Sequence, residues 1–383
     1  MESKVWFQLI IYTAPIFSSL VCCLLLILCY QDRARAVRSQ ILRLLIFYYA
    51  TVVINWTGSL IYIYKPTLFV YINSILYLSL LWALVTFYHF VCLITDTGTG
   101  KRFSIIHYII PLVLCLTLAV WSFYVPFDVQ TYIVESRGDY VESYKWYSIL
   151  FTSKLPVRLV YNIIYFALGI YQLYCYRRRI IDYSADEKRT SMHWLYLILA
   201  LSLTMAILPL ASLFVSKANL INSFISGIPV LLIIINHVIL CYNVIRGNYV
   251  IVSSPDKDEV IEYRRVYSKH NLTVEAFDRY MRENKPYLDS GLKITDLTLH
   301  FHTNRTYLSS FINNNYGMNF CRYINSLRMR EFEQLRKNPD FIHYKDQELI
   351  LIAGFSNYRA YFREKRIGED KLKHKASSLE LKD

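Results

Sequence analysis

Residues 304–331 read NRTYLSSFINNNYGMNFCRYINSLRMRE, and this stretch decides the fold of the C-terminal part of the chain. Its pattern predicts a short helix, a turn at Gly317 and a longer basic helix. Leu308, Phe311 and Ile312 recur at helical spacing and would form the buried face of the first helix. The opposite, polar face carries Arg305, Thr306, Ser309, Ser310 and Asn313. Short hydrogen-bonding side chains and an arginine on an exposed helix face suit the edges of DNA bases.

Residues from Leu292 to about Arg366 resemble the DNA-binding domain of AraC-type transcription regulators, which contains two helix-turn-helix units. The resemblance rests on several short matches and on their spacing. These matches are Asn304-Arg305-Thr306-Tyr307-Leu308-Ser309, Gly317, Tyr323-Ile324-Asn325, Leu327-Arg328 and Gly354-Phe355-Ser356. The matched region is roughly a fifth of the chain, the size of one small domain. The resemblance therefore implies an all-α DNA-binding domain there and says nothing about the rest of the chain.

The resemblance also implies which residues face DNA, with Asn304 capping the first recognition helix. Candidates for base readout are Asn304, Arg305, Thr306, Ser309, Ser310 and Asn313 in the first unit, and Ser356, Asn357, Arg359 and Arg363 in the second. Candidates for phosphate contacts are Lys293, Arg322, Arg328, Arg330 and Arg366. Which of these read bases and which only position the protein is left open, and a polar face that meets only solvent is the competing interpretation.

The second helix-turn-helix unit departs from the family pattern. Lys365 stands where the family usually has an apolar core residue, and Ile350 replaces a small residue between the two helices. About two residues are missing before Gly368, and Glu369-Asp370 replaces the usual Ser-Pro. We therefore expect the second recognition helix to dock weakly, so that specificity rests mainly on the first unit.

The composition of the whole chain is that of a membrane protein with a soluble part. Hydrophobic residues make up 55% and charged residues only 19%, which is too apolar for an ordinary soluble protein. The apolar excess lies before Arg246. The net charge of +13 suits anionic lipid headgroups, a nucleic acid, or both.

Seven apolar stretches are each long enough for a helix that crosses a bilayer, which needs about 20 residues. They are Leu9–Tyr30, Leu44–Tyr64, Leu68–Ile94, Ile105–Val125, Leu155–Tyr176, Met192–Val215 and Leu220–Val244. Lys and Arg are concentrated in the loops after the first, third and fifth stretches, for example Arg177-Arg178-Arg179. The positive-inside rule then places the N-terminus outside and the C-terminal domain in the cytoplasm, in the cell inner (cytoplasmic) membrane.

The sequence predicts four consecutive parts. A transmembrane helical, sensor-like domain covers residues 1–247, and a cytoplasmic linker helix with the first helix of the next domain covers 248–286. The AraC-like domain covers 287–370, and a frayed basic tail covers 371–383. The linker helix is expected to begin near Pro255.

Polar residues inside the apolar stretches have two interpretations each. A metal or proton site could be formed by His89, His107, His193 and His237 with Asp96. The spacing of these residues matches no metal-binding motif. We therefore predict no metal, cofactor or catalytic site. Asn55, Asn162, Asn222 and Asn236 are expected to make interhelical hydrogen bonds. Lys154 and Arg158 could receive an anionic ligand or extend to the lipid headgroups.

These observations favour a membrane-bound, one-component transcription regulator with sequence-specific DNA binding and no enzymatic activity. Its expected partners are double-stranded DNA, the lipid bilayer, a second copy in a homodimer, and an unknown small ligand or membrane signal. The main alternative is an integral membrane receptor or transporter whose degenerate helix-turn-helix domain acts as a protein-interaction module. A third, an intramembrane metal-dependent hydrolase fused to a regulator, rests on the histidines and Asp96.

Overall fold

A computed structural model describes most of the chain. The described residues are 2–31, 36–96, 102–136, 138–180, 183–185, 192–214, 227–250 and 272–366. The regular elements in these ranges are all helices. The same ranges also contain one isolated antiparallel bridge, between Ser184 and Lys293. The all-α fold class is therefore confirmed for these ranges. The predicted linker helix near Pro255, the tail over 371–383 and Asn222 lie outside them.

Nine α-helices precede residue 250 in the described part of the chain. They are α1 (Glu2–Gln31), α2 (Ala36–Tyr64), α3 (Pro66–Ile94), α4 (Ile106–Ser122), α5 (Phe127–Glu135), α6 (Lys145–Thr152), α7 (Lys154–Ile180), α8 (His193–Phe214) and α9 (Gly227–Ile245). Each predicted apolar stretch overlaps one of them over its described residues, as expected of long apolar runs, which in lipid can satisfy their backbone groups as helices.

Five helical segments are long and apolar enough to cross a membrane, counted over the described residues. They are Leu9–Tyr30, Ser39–Tyr64, Pro66–Ile94, Glu142–Ile180 and Gly227–Ile245. Two further apolar helical stretches, Ile106–Ser122 and His193–Leu203, are shorter. The chain therefore has several helices that could span a membrane, while the number of seven spans stays a prediction.

The surface of these helices is apolar on the outside. Tyr71 leaves 74% of its area exposed, and Phe17 and Ile75 are exposed in the same way. Exposed apolar surface on this scale is rare in soluble monomers and matches a lipid-facing surface. Between helices, Gly58 lets α2 approach α3 so closely that an added Cβ would collide with the Leu76 side chain. Small residues at such crossings are typical of membrane helices.

The segment between α4 and α7 contains the two short helices α5 and α6 and has its own hydrogen-bonded core. Tyr147 is buried, and its hydroxyl donates to Gln130 Oε1 (3.1 Å). Gln130 Nε2 in turn donates to the carbonyls of Ser122 and Val125, both at 2.8 Å. Trp146 on the same segment is exposed. The aromatic residues of this segment therefore divide between a buried core and an exposed surface.

The described residues form two compact units. The first lies within Met1–Asp96, Gly100–Tyr174 and His193–Gly247. The second lies mainly within Cys175–Met192 and Asn248–Asp383. The break after Gly247 falls where the apolar part of the sequence ends. No sequence pattern indicated that residues between α7 and α8 belong with the C-terminal unit.

In its described part, the second unit contains the end of α7 from Cys175 and six further α-helices. They are α10 (Val274–Asn284), α11 (Ile294–His300), α12 (Arg305–Tyr316), α13 (Phe320–Lys337), α14 (Asp346–Ile352) and α15 (358–366). Thr273 caps α10 by accepting from the Ala276 amide (3.2 Å), and α10 buries Phe277 and Met281. Phe277 packs against Phe311 of α12 and Tyr323 of α13. Helix α10 therefore contributes to the same core as α12 and α13.

Candidate nucleic-acid interface

Helix α12 has the two faces that the sequence predicts. Leu308 and Ile312 are fully buried and Phe311 nearly so, whereas Ser310 and Asn313 are exposed. The aromatic cluster around Phe277 holds the apolar face in place, with ring centroids of Phe277 and Phe311 5.4 Å apart. Ser310 and Asn313 therefore lie on the side of α12 that faces away from this core.

Both ends of α12 are fixed by local chemistry. Asn304 Oδ1 accepts a hydrogen bond from the Tyr307 amide (2.8 Å), which makes Asn304 the N-cap that the sequence predicts. Gly317 ends the helix with φ +66°, a left-handed conformation that glycine adopts without strain. Asn319 then caps α13 by accepting from the Arg322 amide (3.0 Å). Since the Asn304 oxygen holds the cap, the role that the structure gives this residue is to position the helix.

The remaining base-readout candidates of α12 differ in accessibility. Ser310 and Asn313 are exposed and Ser309 is half-buried, while the Thr306 side chain lies outside the described residues. Arg305 is half-buried, and its guanidinium carbon lies 5.0 Å from the centroid of the Tyr183 ring. Stacking on an aromatic face is a favourable position for arginine. In this arrangement the accessible polar surface of α12 is centred on Ser310 and Asn313.

The tripeptide Tyr183-Ser184-Ala185 pairs with the start of α11. Ile294 N–H donates to Tyr183 O (2.9 Å), and Ala185 N–H donates to Leu292 O (3.1 Å), so the two segments run antiparallel. All three residues of the tripeptide are almost completely buried. The sequence did not reveal this pairing, because three residues between predicted spans carry no periodicity.

The phosphate candidates divide into accessible and buried residues. Arg330 and Arg366 are exposed, and Lys293 and Arg322 are half-buried. Arg328 is only 1% exposed. Its Nε donates to Tyr287 O (2.7 Å) and its Nη2 to Asp289 O (2.7 Å), while Nη1 donates to Ala185 O and Asn325 Oδ1, both at 3.2 Å. The prediction that Arg328 contacts phosphate is therefore wrong for this structure, because its guanidinium holds the interior of the second unit together.

A network of tyrosines and acidic residues supports the same interior. Glu331 accepts from Lys285 Nζ (2.7 Å) and from the Tyr287 hydroxyl (3.0 Å). Tyr316 donates to Asp278 Oδ1 (2.7 Å), which joins the end of α12 to α10. Burial first, and then the neighbouring carboxylates, raise the pKa values of Tyr287 and Tyr316 well above the usual range. These phenols therefore stay protonated and keep donating at any physiological pH.

The region predicted to be the second helix-turn-helix unit, which contains α14 and α15, has an apolar core. This core consists of Phe332, Leu349, Ile350, Ala353, Phe355, Ala360 and Tyr361. Lys365, which the family pattern places in the core, is exposed, so the prediction of a charge at a core position is wrong. Ile350 is accommodated in this core with only 1% of its area exposed.

The start of α15 resembles that of α12. Asn357 caps it by accepting from the Ala360 amide (3.0 Å), and Asn357 Nδ2 also donates to Ser356 Oγ (3.3 Å). Arg359 and Arg363 are exposed, as the second-unit prediction requires. Partial desolvation lowers the pKa of Arg363, although Glu364 opposes this shift.

Three of the four histidines proposed as an alternative metal site have hydroxyl groups within hydrogen-bond distance. His89 Nδ1 lies 3.1 Å from the Tyr108 hydroxyl, and His107 Nδ1 lies 3.1 Å from the Tyr165 hydroxyl. His237 Nδ1 lies 2.9 Å from Ser18 Oγ. Among the residues that the structure describes, no three His, Cys, Asp or Glu side chains come together as a metal site would require.

The second unit thus presents a capped helix whose exposed side chains can donate and accept hydrogen bonds, flanked by exposed arginines on α13 and α15. Such a surface can bind a negatively charged partner with a groove that admits a helix, such as duplex DNA. Comparison of the chain with protein-family models, with curated proteins and with solved structures gives no match.

Proposed function

We propose that this chain is a membrane-bound, sequence-specific DNA-binding transcription regulator of the AraC type. The observation that carries the proposal is helix α12, which buries Leu308 and Ile312 and exposes Ser310 and Asn313 after a short turn from α11. A helix held in this way can lie in the major groove, where serine and asparagine can bond to base edges.

The second helix pair extends the same surface chemistry. Helices α14 and α15 share a packed core with α13, and α15 exposes Arg359, Arg363 and Arg366. Two helix-turn-helix units can contact successive turns of the major groove, about 34 Å apart. Specificity then comes from α12, while the arginines of α15 add affinity through the DNA backbone.

The proposed setting is the inner membrane of the cell. The positive-inside pattern supports seven spans with the N-terminus outside and the second unit in the cytoplasm, where double-stranded DNA is. The resemblance supports a homodimer. A small ligand or a membrane signal, received by the first unit, would regulate binding as a one-component system.

The alternative is a membrane receptor or transporter whose second unit binds a protein instead of DNA. The observation that favours it is Arg305, the first residue of α12, which lies over the Tyr183 ring. An arginine held by its own chain is less available to a base. Binding to duplex DNA separates the two functions.

The full-length protein in lipid nanodiscs should select a common sequence motif from a random pool of DNA duplexes. The double substitution S310A/N313A should lower affinity for that motif by about tenfold or more while leaving non-specific binding unchanged, because each lost base contact is worth about 1–3 kcal/mol. Sequencing of the selected duplexes and competition binding at fixed salt measure both quantities.

The control is Gln334→Ala, which shortens an exposed polar side chain on α13. This variant should keep the affinity of the parent protein to within about twofold, as for a surface substitution of small effect. Selection of no motif by the parent protein would contradict the proposal. Equal loss in both variants would show that α12 does not read bases.

A further inference from the structure

The first unit contains a cavity of about 130 Å³ between α2, α3, α7, α8 and α9. Aromatic and aliphatic side chains form most of its wall, among them Trp56, Phe87, Tyr165 and Phe166. A cavity of this size accommodates about one benzene ring, judged by the engineered cavity of roughly 150 Å³ that takes up benzene.

The rest of the cavity wall is polar. Arg158, Asn55, Asn162, Asn236, His237 and Ser202 all line it. Genuinely empty cavities in proteins are apolar, so a cavity with this wall is built to hold something polar. The sequence marked several of these residues separately, and only the fold brings them around one space.

One wall residue has an unsatisfied polar atom. Asn236 is 8% exposed, and its Nδ2 donates to Ile198 O on α8 (3.3 Å), which confirms the predicted interhelical bond. Its Oδ1, however, has no partner in the described part of the chain. Leaving a buried acceptor unpaired costs free energy, so a donor in the cavity would be stabilised there.

The charge of Arg158 is also uncompensated. No hydrogen bond or ion pair reaches its guanidinium from the residues that the structure describes. The five helices around the cavity contain no Asp or Glu at all. Arg158 is half-buried, and a cation partly withdrawn from water is costly without a counter-charge.

Lys154, one turn before Arg158 on α7, shows the contrast. Its Nζ donates to Asn73 Oδ1 (2.6 Å) and lies 3.4 Å from the centroid of the Phe151 ring. Lys154 is not part of the cavity wall. Of the two cations that the sequence offered for an anionic ligand, only Arg158 faces the cavity.

We propose that this cavity binds a small organic anion, a carboxylate on a compact apolar body. The carboxylate would pair with Arg158, and the apolar body would lie against Trp56 and Phe87. A bound molecule with a hydroxyl or amide donor would also satisfy Asn236 Oδ1. The proposal concerns ligand binding by the first unit and stands whether or not the second unit binds DNA.

The test uses the full-length protein in nanodiscs and two probes, benzoate and hexanoate, each compared with its neutral alcohol. We expect saturable binding of at least one carboxylate, with the alcohol at least about tenfold weaker because it lacks the charge-assisted bond. Arg158→Gln should weaken carboxylate binding by a similar factor, and Arg158→Lys by less. Lys154→Gln, the matched control, should bind like the parent protein.

A second variant tests the cavity independently, in case Arg158→Gln does not fold. Ala83 lines the cavity, and Ala83→Leu should block binding by filling the space while leaving every charge in place. Size-exclusion chromatography confirms that each variant is folded. The proposal is overturned if neither carboxylate binds saturably, if the alcohols bind as well as the acids, or if Lys154→Gln loses as much affinity as Arg158→Gln.

Discussion

Arg328→Met should destabilise the second unit by about 3–5 kcal/mol, because each buried carbonyl group left without a donor costs about 1–3 kcal/mol. The substitution keeps most of the side-chain volume but removes the donors to the carbonyls of Tyr287, Asp289 and Ala185. Three buried carbonyl groups then lose partners at once. Because one of them lies between α7 and α8, the tripeptide 183–185 should open together with the 3-10 turn at Pro286–Leu288.

Hydrogen exchange of the full-length protein in detergent measures this effect directly. Amides of 294–366 should exchange at least about a hundredfold faster in Arg328→Met than in the parent protein. The control is Arg330→Met, two residues away and exposed, which should change stability by less than about 0.5 kcal/mol. Similar exchange in both variants would mean that Arg328 is not the interior anchor described here.

Gly354→Ala should be the second most damaging change, at about 3 kcal/mol or more. Gly354 has φ +92°, and a Cβ there would lie 2.7 Å from Leu288 Cα and 2.9 Å from Leu288 O, and closer still to Tyr287 O. These are backbone atoms, which cannot rotate away as a side chain can. The substitution should therefore push α14 and α15 away from the 3-10 turn.

Gly317→Ala provides the matched control. Gly317 also has a left-handed φ, +66°, but nothing lies within 4 Å of the position of its added Cβ. It should cost only the conformational preference, about 1–2 kcal/mol. Thermal unfolding followed by limited proteolysis of the second unit compares the two variants. Equal losses would show that the contact with residues 287 and 288 contributes nothing.

Local patterns in the sequence were sufficient for the helices of the candidate interface. The period of Leu308, Phe311 and Ile312 fixes which face of α12 is buried, and Asn304 and Gly317 fix where it begins and ends. Such signals act over a few residues, so a single sequence contains them. The same holds for the long apolar helices before residue 250.

Contacts between distant residues were not predictable in this way. Arg328 looks like a surface cation on a basic helix, and only the fold places it against carbonyls of residues 185, 287 and 289. Lys365 looks like a core residue by position in the family pattern, yet Ala360 and Tyr361 take the core and Lys365 points to solvent. Hydrophobic spacing cannot report hydrogen bonds between segments far apart in the chain.

The cavity of the first unit is a similar case. Asn162, Asn236 and Arg158 lie on two helices. From the sequence, the asparagines were expected to make interhelical hydrogen bonds, and Arg158 either to receive an anionic ligand or to extend to the lipid headgroups. Their convergence on one space depends on how α7 and α9 pack with α2, α3 and α8. Packing of this kind depends on rotations about helix axes, which near-uniform apolar sequences do not specify.

Cross-linking of chromosomal DNA to the full-length protein in intact cells, followed by isolation of membranes and sequencing of the attached DNA, tests the central claim most directly. We expect a limited set of sites that share a motif, and we expect S310A/N313A to lose them while Gln334→Ala keeps them. DNA recovered evenly from the whole chromosome, or no more DNA than from cells lacking the protein, would contradict a sequence-specific regulator in the membrane.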